Sequence, residues 1–206
     1  MIPRWATFDC YGTLIDWNAG LRDSLGSDEL LERYHELEPD VERESPGLAY
    51  REVLAEVARR IGASDPEAPA RTLPDWPVFP EAPAALEQAR ARGWRLAILS
   101  NTDRDFIEAS MERIGVPFDF AIVASEIGSY KPALGHWREF ERRTGRMPEV
   151  HVAASLFHDV APAQMLGLKS VWVNRLGERP GPEPSRELPD LSRLPGALDE
   201  LVPSGV

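Results

Sequence analysis

Five short apolar runs, alternating with helical patterns, set narrow limits on what this chain can fold into. The runs cover residues 5–8, 95–99, 120–123, 151–154 and 170–173. Helical periodicity occupies residues 83–91, 105–114, 134–143 and 161–166, with Gly167 as a stop signal. Strands alternating with helices at this spacing predict βαβ units and an α/β fold with a Rossmann-like parallel sheet. Residues 16–76 break the alternation. They carry helical patterns at 28–37 and 49–61, the second with Val53, Leu54, Val57 and Ile61 on one face, and no strand pattern. The expected organisation is therefore a core domain of residues 1–15 and 77–206, with a helical cap of residues 16–76 inserted after the first strand. The Pro-rich segment 63–80 leads back to the core. Residues 179–195, also Pro-rich, read as a surface connection before a short closing helix.

Three of the apolar runs end in polar residues: Asp9, then Ser100 and Asn101, then Ser155 with Asp159 nearby. In an open parallel sheet, ligands bind beyond the carboxyl ends of the strands. Each residue alone has a plain structural role as a turn former or helix cap. Burying polar groups is costly without partners, so their recurrence at strand ends favours a site.

The 206 residues suit one large domain, or a core with a smaller insertion. The net charge of −11 disfavours nucleic acid and anionic membranes as partners. It also means that a small anionic substrate needs an Arg or Lys close by. Cys10 stands alone, so no disulfide forms within the chain, which fits a reducing compartment. Residues 1–6 lack the charged stretch and apolar run of an export signal, and no run is long enough to span a bilayer. The expectation is a cytoplasmic protein.

Phe8-Asp9-Cys10-Tyr11-Gly12-Thr13-Leu14 resembles the first motif of the haloacid dehalogenase superfamily. Leu99-Ser100-Asn101-Thr102 resembles the second, and Tyr130-Lys131-Pro132 the third. Residues 151–163, with Asp159, resemble the fourth in altered form. Order and spacing match over nearly the whole chain, and a helical cap after the first motif is a trait of the superfamily. The resemblance implies that Asp9 is a nucleophile, assisted by Thr13, Lys131 and Asp159. A positioned carboxylate is a competent nucleophile, Thr13 can donate to it, and Lys131 can keep it ionised.

Two positions bear on the reaction. Phosphatases of the superfamily carry an acid two residues after the nucleophile, where this chain has Tyr11. They carry a Mg2+-binding acid shortly after the fourth strand, where this chain has Ala154. Halide leaves without a proton, and a phenol with a pKa of about 10 is a poor acid at neutral pH. The resemblance thus implies an (S)-2-haloacid dehalogenase-like hydrolase that needs no cofactor. It would convert a short 2-haloacid to a 2-hydroxyacid through an ester on Asp9, with Asp159 activating water. Ser100 and the backbone after Tyr11 are expected to hold the substrate carboxylate. Asn101 and the cap residue Arg33 are expected near the halide, and Tyr11, Trp137 and Phe157 along the pocket. Trp137 stands where the dehalogenases have Tyr; Ala154 and Leu156 stand where they have Ser and Asn. Two alternatives remain: a Mg2+-dependent phosphatase with Asp9 and Asp159 as metal ligands, or a non-catalytic member that binds a small anion. A homodimer is expected from the resemblance only.

Overall fold

The computed structural model describes residues 3–45, 47–179 and 181–203. Six parallel strands form one sheet: β1 (Arg4–Phe8), β2 (Trp94–Ser100), β3 (Phe120–Val123), β4 (Val150–Ala153), β5 (Lys169–Val173) and β6 (Arg186–Leu188). Their order is β3-β2-β1-β4-β5-β6. The chain winds outward from β1 through β2 to β3, then returns beside β1 with β4 and winds the other way. The switch point therefore lies between β1 and β4, with Phe8 paired to Ile98 on one side and to Val152 on the other. Crevices at such points, outside the carboxyl ends of the strands, are where open α/β sheets bind ligands.

β1 is central, with four of its five residues buried and three of those four apolar, as suits a strand covered on both faces. Its side chains alternate. Ala6 and Phe8 join Leu96, Ile98, Val150 and Val152 in one hydrophobic cluster, while Trp5 joins Ala97, Leu99, Ile122, Trp137 and Phe140 in another on the opposite face.

Between β1 and β2 lie α1 (Trp17–Leu25), α2 (Asp28–Glu44), α3 (Tyr50–Arg60), α4 (Ala68–Thr72), a 3-10 turn at Leu73–Asp75, and α5 (Ala82–Ala91). Asp16 caps α1 by accepting from the Ala19 amide at 3.0 Å, and Ser27 caps α2. Gly20 in α1 faces the Trp76 indole so closely that a β-carbon would lie 2.3 Å from it. The N-terminus of α3 is held by Asp103, whose carboxylate accepts from the amides of Tyr50 and Arg51 at 2.9 and 3.1 Å. Leu21, Tyr34 and Leu54 of these helices share the cluster that covers Phe8.

The remaining helices are α6 (Arg104–Ile114), α7 (Ala124–Ile127), α8 (Gly135–Thr144), α9 (Ala161–Met165) and α10 (Leu194–Leu201). Two readings of the sequence need correction. The helix read as residues 28–37 continues through Pro39 to Glu44. The segment 179–195 is not only a surface connection, since it contributes β6 alongside β5. The three residues of β6, two of them exposed, are too few to show a strand period. No helix among the described residues is long and apolar enough to cross a membrane.

Candidate active site

Asp9 follows β1 directly, and the turn after it folds the chain back over it. The Leu14 and Ile15 amides donate to Cys10 O at 2.7 and 3.0 Å. Gly12 takes a positive φ of 86°, which only glycine adopts without strain. This turn brings Thr13 Oγ1 to 3.1 Å from Asp9 Oδ2, and the same hydroxyl accepts from the Ala154 amide at 3.0 Å. Thr13 thus ties the end of β1 to the end of β4 across the switch point.

Lys131 lies under Asp9, its side chain 2% exposed. Its ammonium donates to Asp9 Oδ1 at 2.8 Å, to Asp159 Oδ1 at 2.5 Å and to Leu99 O at 2.9 Å. These three bonds use all three of its protons, which is why a full charge tolerates this burial. Asn101 fixes the lysine backbone from both sides: its Nδ2 donates to Lys131 O at 3.0 Å, and its Oδ1 accepts from the Lys131 amide at 2.6 Å.

Asp159 sits on a π-helical turn, Leu156–Val160, that leads from β4 into α9. Its Oδ1 also meets His151 Nε2 at 2.9 Å, and His151 Nδ1 in turn meets Thr7 Oγ1 at 2.9 Å. Asp159 Oδ2 has no partner among the described residues. A continuous chain therefore runs Thr7–His151–Asp159–Lys131–Asp9. Burial pushes the Asp9 carboxyl above the ordinary range; Lys131 opposes this and the charge of Asp159 adds to it. Burial acts on Asp159 in the same sense, but there the charge of Lys131 and the bond to His151 outweigh it and hold the group well below the usual range.

A cavity of about 620 Å³ opens above these groups, at the carboxyl ends of β1, β2, β4 and β5. Of the sequence-derived candidates, Asp9, Tyr11, Ser100, Asn101, Lys131, Phe157 and Asp159 line it, and Thr13 lies just behind Asp9. Ser100, 1% exposed, keeps a hydroxyl without a partner among the described residues. Tyr11 donates or accepts at Ser110 Oγ, 3.1 Å away, and burial pushes its phenol well above its ordinary value.

Three expectations fail. Arg33 is exposed on α2 and does not line the cavity, because neighbouring Tyr34 takes the inward position. Trp137 is fully buried in the cluster on the far side of the sheet, edge-on to His151 at 5.2 Å. The amide after Tyr11, that of Gly12, is engaged with Ile15 O at 2.8 Å and is not free for a carboxylate. Asn101 lines the cavity, but its amide is committed to Lys131.

Sequence reasoning also missed residues. His151 opens the fourth apolar run and the stretch that resembles the fourth motif, but the resemblance attaches no role to it. Glu38, Glu42 and His158 line the cavity as well, and Glu42 depends on the continuation of α2 past Pro39.

A family model, haloacid dehalogenase-like hydrolase, matches residues 3–153. The chain belongs to this family. The phosphoserine phosphatase of Thermus thermophilus is 36% identical over 118 residues, covering 55% of this chain and 47% of that protein. The (S)-2-haloacid dehalogenase of Pseudomonas sp. strain YL is 30% identical over 120 residues, covering 55% of this chain and 51% of that protein. These matches span about half the length of each curated relative. The solved L-2-haloacid dehalogenase from Xanthobacter autotrophicus superposes with a TM-score of 0.81 at 20% identity, over 96% of this chain and 98% of that one. The shared fold is thus the α/β fold of this hydrolase family.

Proposed function

We propose that this hydrolase acts on carbon rather than phosphorus, as a metal-independent 2-haloacid dehalogenase. The observation that carries the reading is the pairing of Asp9 with Asp159 through Lys131, with Tyr11 and Ala154 at the positions where the phosphatase pattern has acids. Mg2+ asks for near-octahedral oxygen coordination at about 2.1 Å. Here an ammonium occupies the space between the two carboxylates, and Ala154 supplies no third acid. Among the described residues, no three His, Cys, Asp or Glu side chains gather as metal ligands. The residues present do not fit the ion.

In the proposed reaction an oxygen of Asp9 attacks C2 of a short 2-haloacid in line. The carbon–halogen bond breaks, and halide departs with its electron pair. The buried Tyr11 phenol does not act as an acid, and the leaving group needs none. Ser100 Oγ offers its proton to the substrate carboxylate. Asp159, fixed through Oδ1 by Lys131 and His151, presents Oδ2 to a water molecule and takes its proton as the water attacks the ester carbonyl of Asp9. The acyl C–O bond breaks, the departing alkoxide takes the proton held by Asp159 to give the 2-hydroxyacid, and the Asp9 carboxyl returns to carboxylate as the remaining proton of the attacking water passes to solvent.

The test is halide release from a panel of 2-haloacids, with and without chelator, beside a panel of phosphate monoesters. The expected result is chelator-insensitive halide release. Chelator-sensitive phosphate release alone would transfer the reading to the phosphatase that the Thermus relative represents.

A further inference from the structure

Thr13 is held by its backbone as well as by its hydroxyl. Arg175, the second residue beyond β5, donates from Nη2 to Thr13 O at 2.9 Å. Its Nη1 pairs with Glu81 Oε1 at 2.7 Å, and its side chain is 15% exposed. The guanidinium carbon lies 3.5 Å from the centre of the Phe79 ring, a cation on an aromatic face. Phe79 in turn donates its amide to Leu14 O at 2.9 Å. Arg175 Nε has no partner among the described residues, so the hold rests on the two terminal nitrogens.

This arrangement fixes Thr13 more firmly than closing the turn requires. The Leu14 and Ile15 amides already close it onto Cys10 O. The planar guanidinium adds a rigid two-point fork, with Glu81 at one prong, Thr13 O at the other and Phe79 setting its plane. β5 reaches the same threonine by a second route. Trp172 Nε1 donates to Ala154 O at 2.9 Å, and the Ala154 amide donates to Thr13 Oγ1 at 3.0 Å. Carbonyl and hydroxyl of Thr13 are therefore both set from the β5 side of the switch point. The hydroxyl so placed meets Asp9 Oδ2 at 3.1 Å.

We infer that Arg175 is a positioning residue for Asp9, acting through Thr13, and the inference rests on the reading that Asp9 is the nucleophile. It does not touch the reacting atoms. A hydrogen bond to the ionised form of a carboxyl favours that form. Burial already raises Asp9, so a slack Thr13 would let it keep its proton to higher pH and would leave its oxygens less well aimed.

The test reads Asp9 without any substrate. Its carboxyl is titrated in the full chain by carbon-13 NMR after aspartate labelling, with Asp9→Asn assigning the signal. Arg175→Met should raise the midpoint by about half a pH unit or more. On any 2-haloacid that the native protein turns over, kcat should fall at least tenfold (roughly) with KM within about threefold. In a Thr13→Val background no hydroxyl remains to be placed, and Arg175→Met should add no further shift. Arg175→Lys keeps the charge and a partner for Glu81 but not the planar fork. It should show the same upward shift, and it carries the test if Arg175→Met does not fold. A native midpoint in a folded Arg175 variant would overturn the inference. So would a shift that survives undiminished in Thr13→Val, as a direct effect of the charge would. Shifted midpoints without halide release from any 2-haloacid would sink the dehalogenase reading alone. Native midpoints beside halide release would sink the role of Arg175 alone.

Discussion

His151 Nε2 lies 2.9 Å from Asp159 Oδ1, inside the sheet and out of reach of any substrate. The imidazole is itself fixed by Thr7 Oγ1. It determines which oxygen of Asp159 is held and which is left without a partner among the described residues. His151→Ala removes that support and exposes a buried acceptor, at a cost of about 1–3 kcal/mol in stability. The turnover rate should fall at least tenfold with KM little changed, because the residue acts through Asp159. His151→Gln, whose amide can donate to the same oxygen, should restore most of the rate. Steady-state kinetics beside thermal unfolding separates this positioning effect from a loss of folding.

Lys131→Met leaves Asp9 and Asp159 facing each other in a buried site without a cation. Removing one member of such a group costs about 3–5 kcal/mol. Both carboxyls should then titrate higher, since the lysine lowers each of them. The variant should lose at least a thousandfold in kcat/KM, and any residual activity should have its acid limb at higher pH than in the native protein.

The pH profile of the native protein follows from the same pair. Asp9 is raised above the ordinary carboxylate value of about 4, so kcat/KM should fall on the acid side at a pH above that value. The stability linkage has two opposing parts. Asp159, held below its unfolded value, stabilises the fold fully above pH about 4, and this is lost as pH falls through its folded value. Asp9, raised, opposes folding once the pH exceeds its unfolded value. Urea unfolding of Asp159→Asn and Asp9→Asn across pH 3–8 reads the two signs separately: the first should lose stability most at neutral pH, and the second should gain there.

Arg33 and Trp137 offer a contrast between what the sequence suggests and where the residues lie. Arg33→Ala should leave kcat and KM within about twofold. Trp137→Ala should cost about 3–5 kcal/mol, while Trp137→Phe should leave KM unchanged. A rise in KM of tenfold or more for Arg33→Ala would place the guanidinium at the substrate after all.

The parts of the site that were legible in the sequence are those that sit at strand ends. Asp9 and Ser100 follow apolar runs, and Lys131, away from any run, stands in a recognisable motif, so their convergence was readable once the sheet was assumed parallel. His151 was not readable, because a histidine within a buried strand has the same pattern as an apolar neighbour until its partner eight residues on is known. Glu42 was hidden by Pro39. A proline removes a backbone donor and usually ends a helix, yet α2 runs through it and carries Glu42 to the cavity. Trp137 was assigned by counting along a motif, which fixes position but not the face of the helix that meets the sheet.

The most direct test of the central claim is turnover in heavy-oxygen water, followed by mass spectrometry of the peptide containing Asp9. If Asp9 attacks carbon and water attacks the Asp9 carbonyl, single turnover yields an unlabelled 2-hydroxyacid and leaves the label in Asp9. Over many turnovers the label then passes to product. An unlabelled Asp9, with label found directly in the hydroxyacid or in released phosphate, would contradict the account.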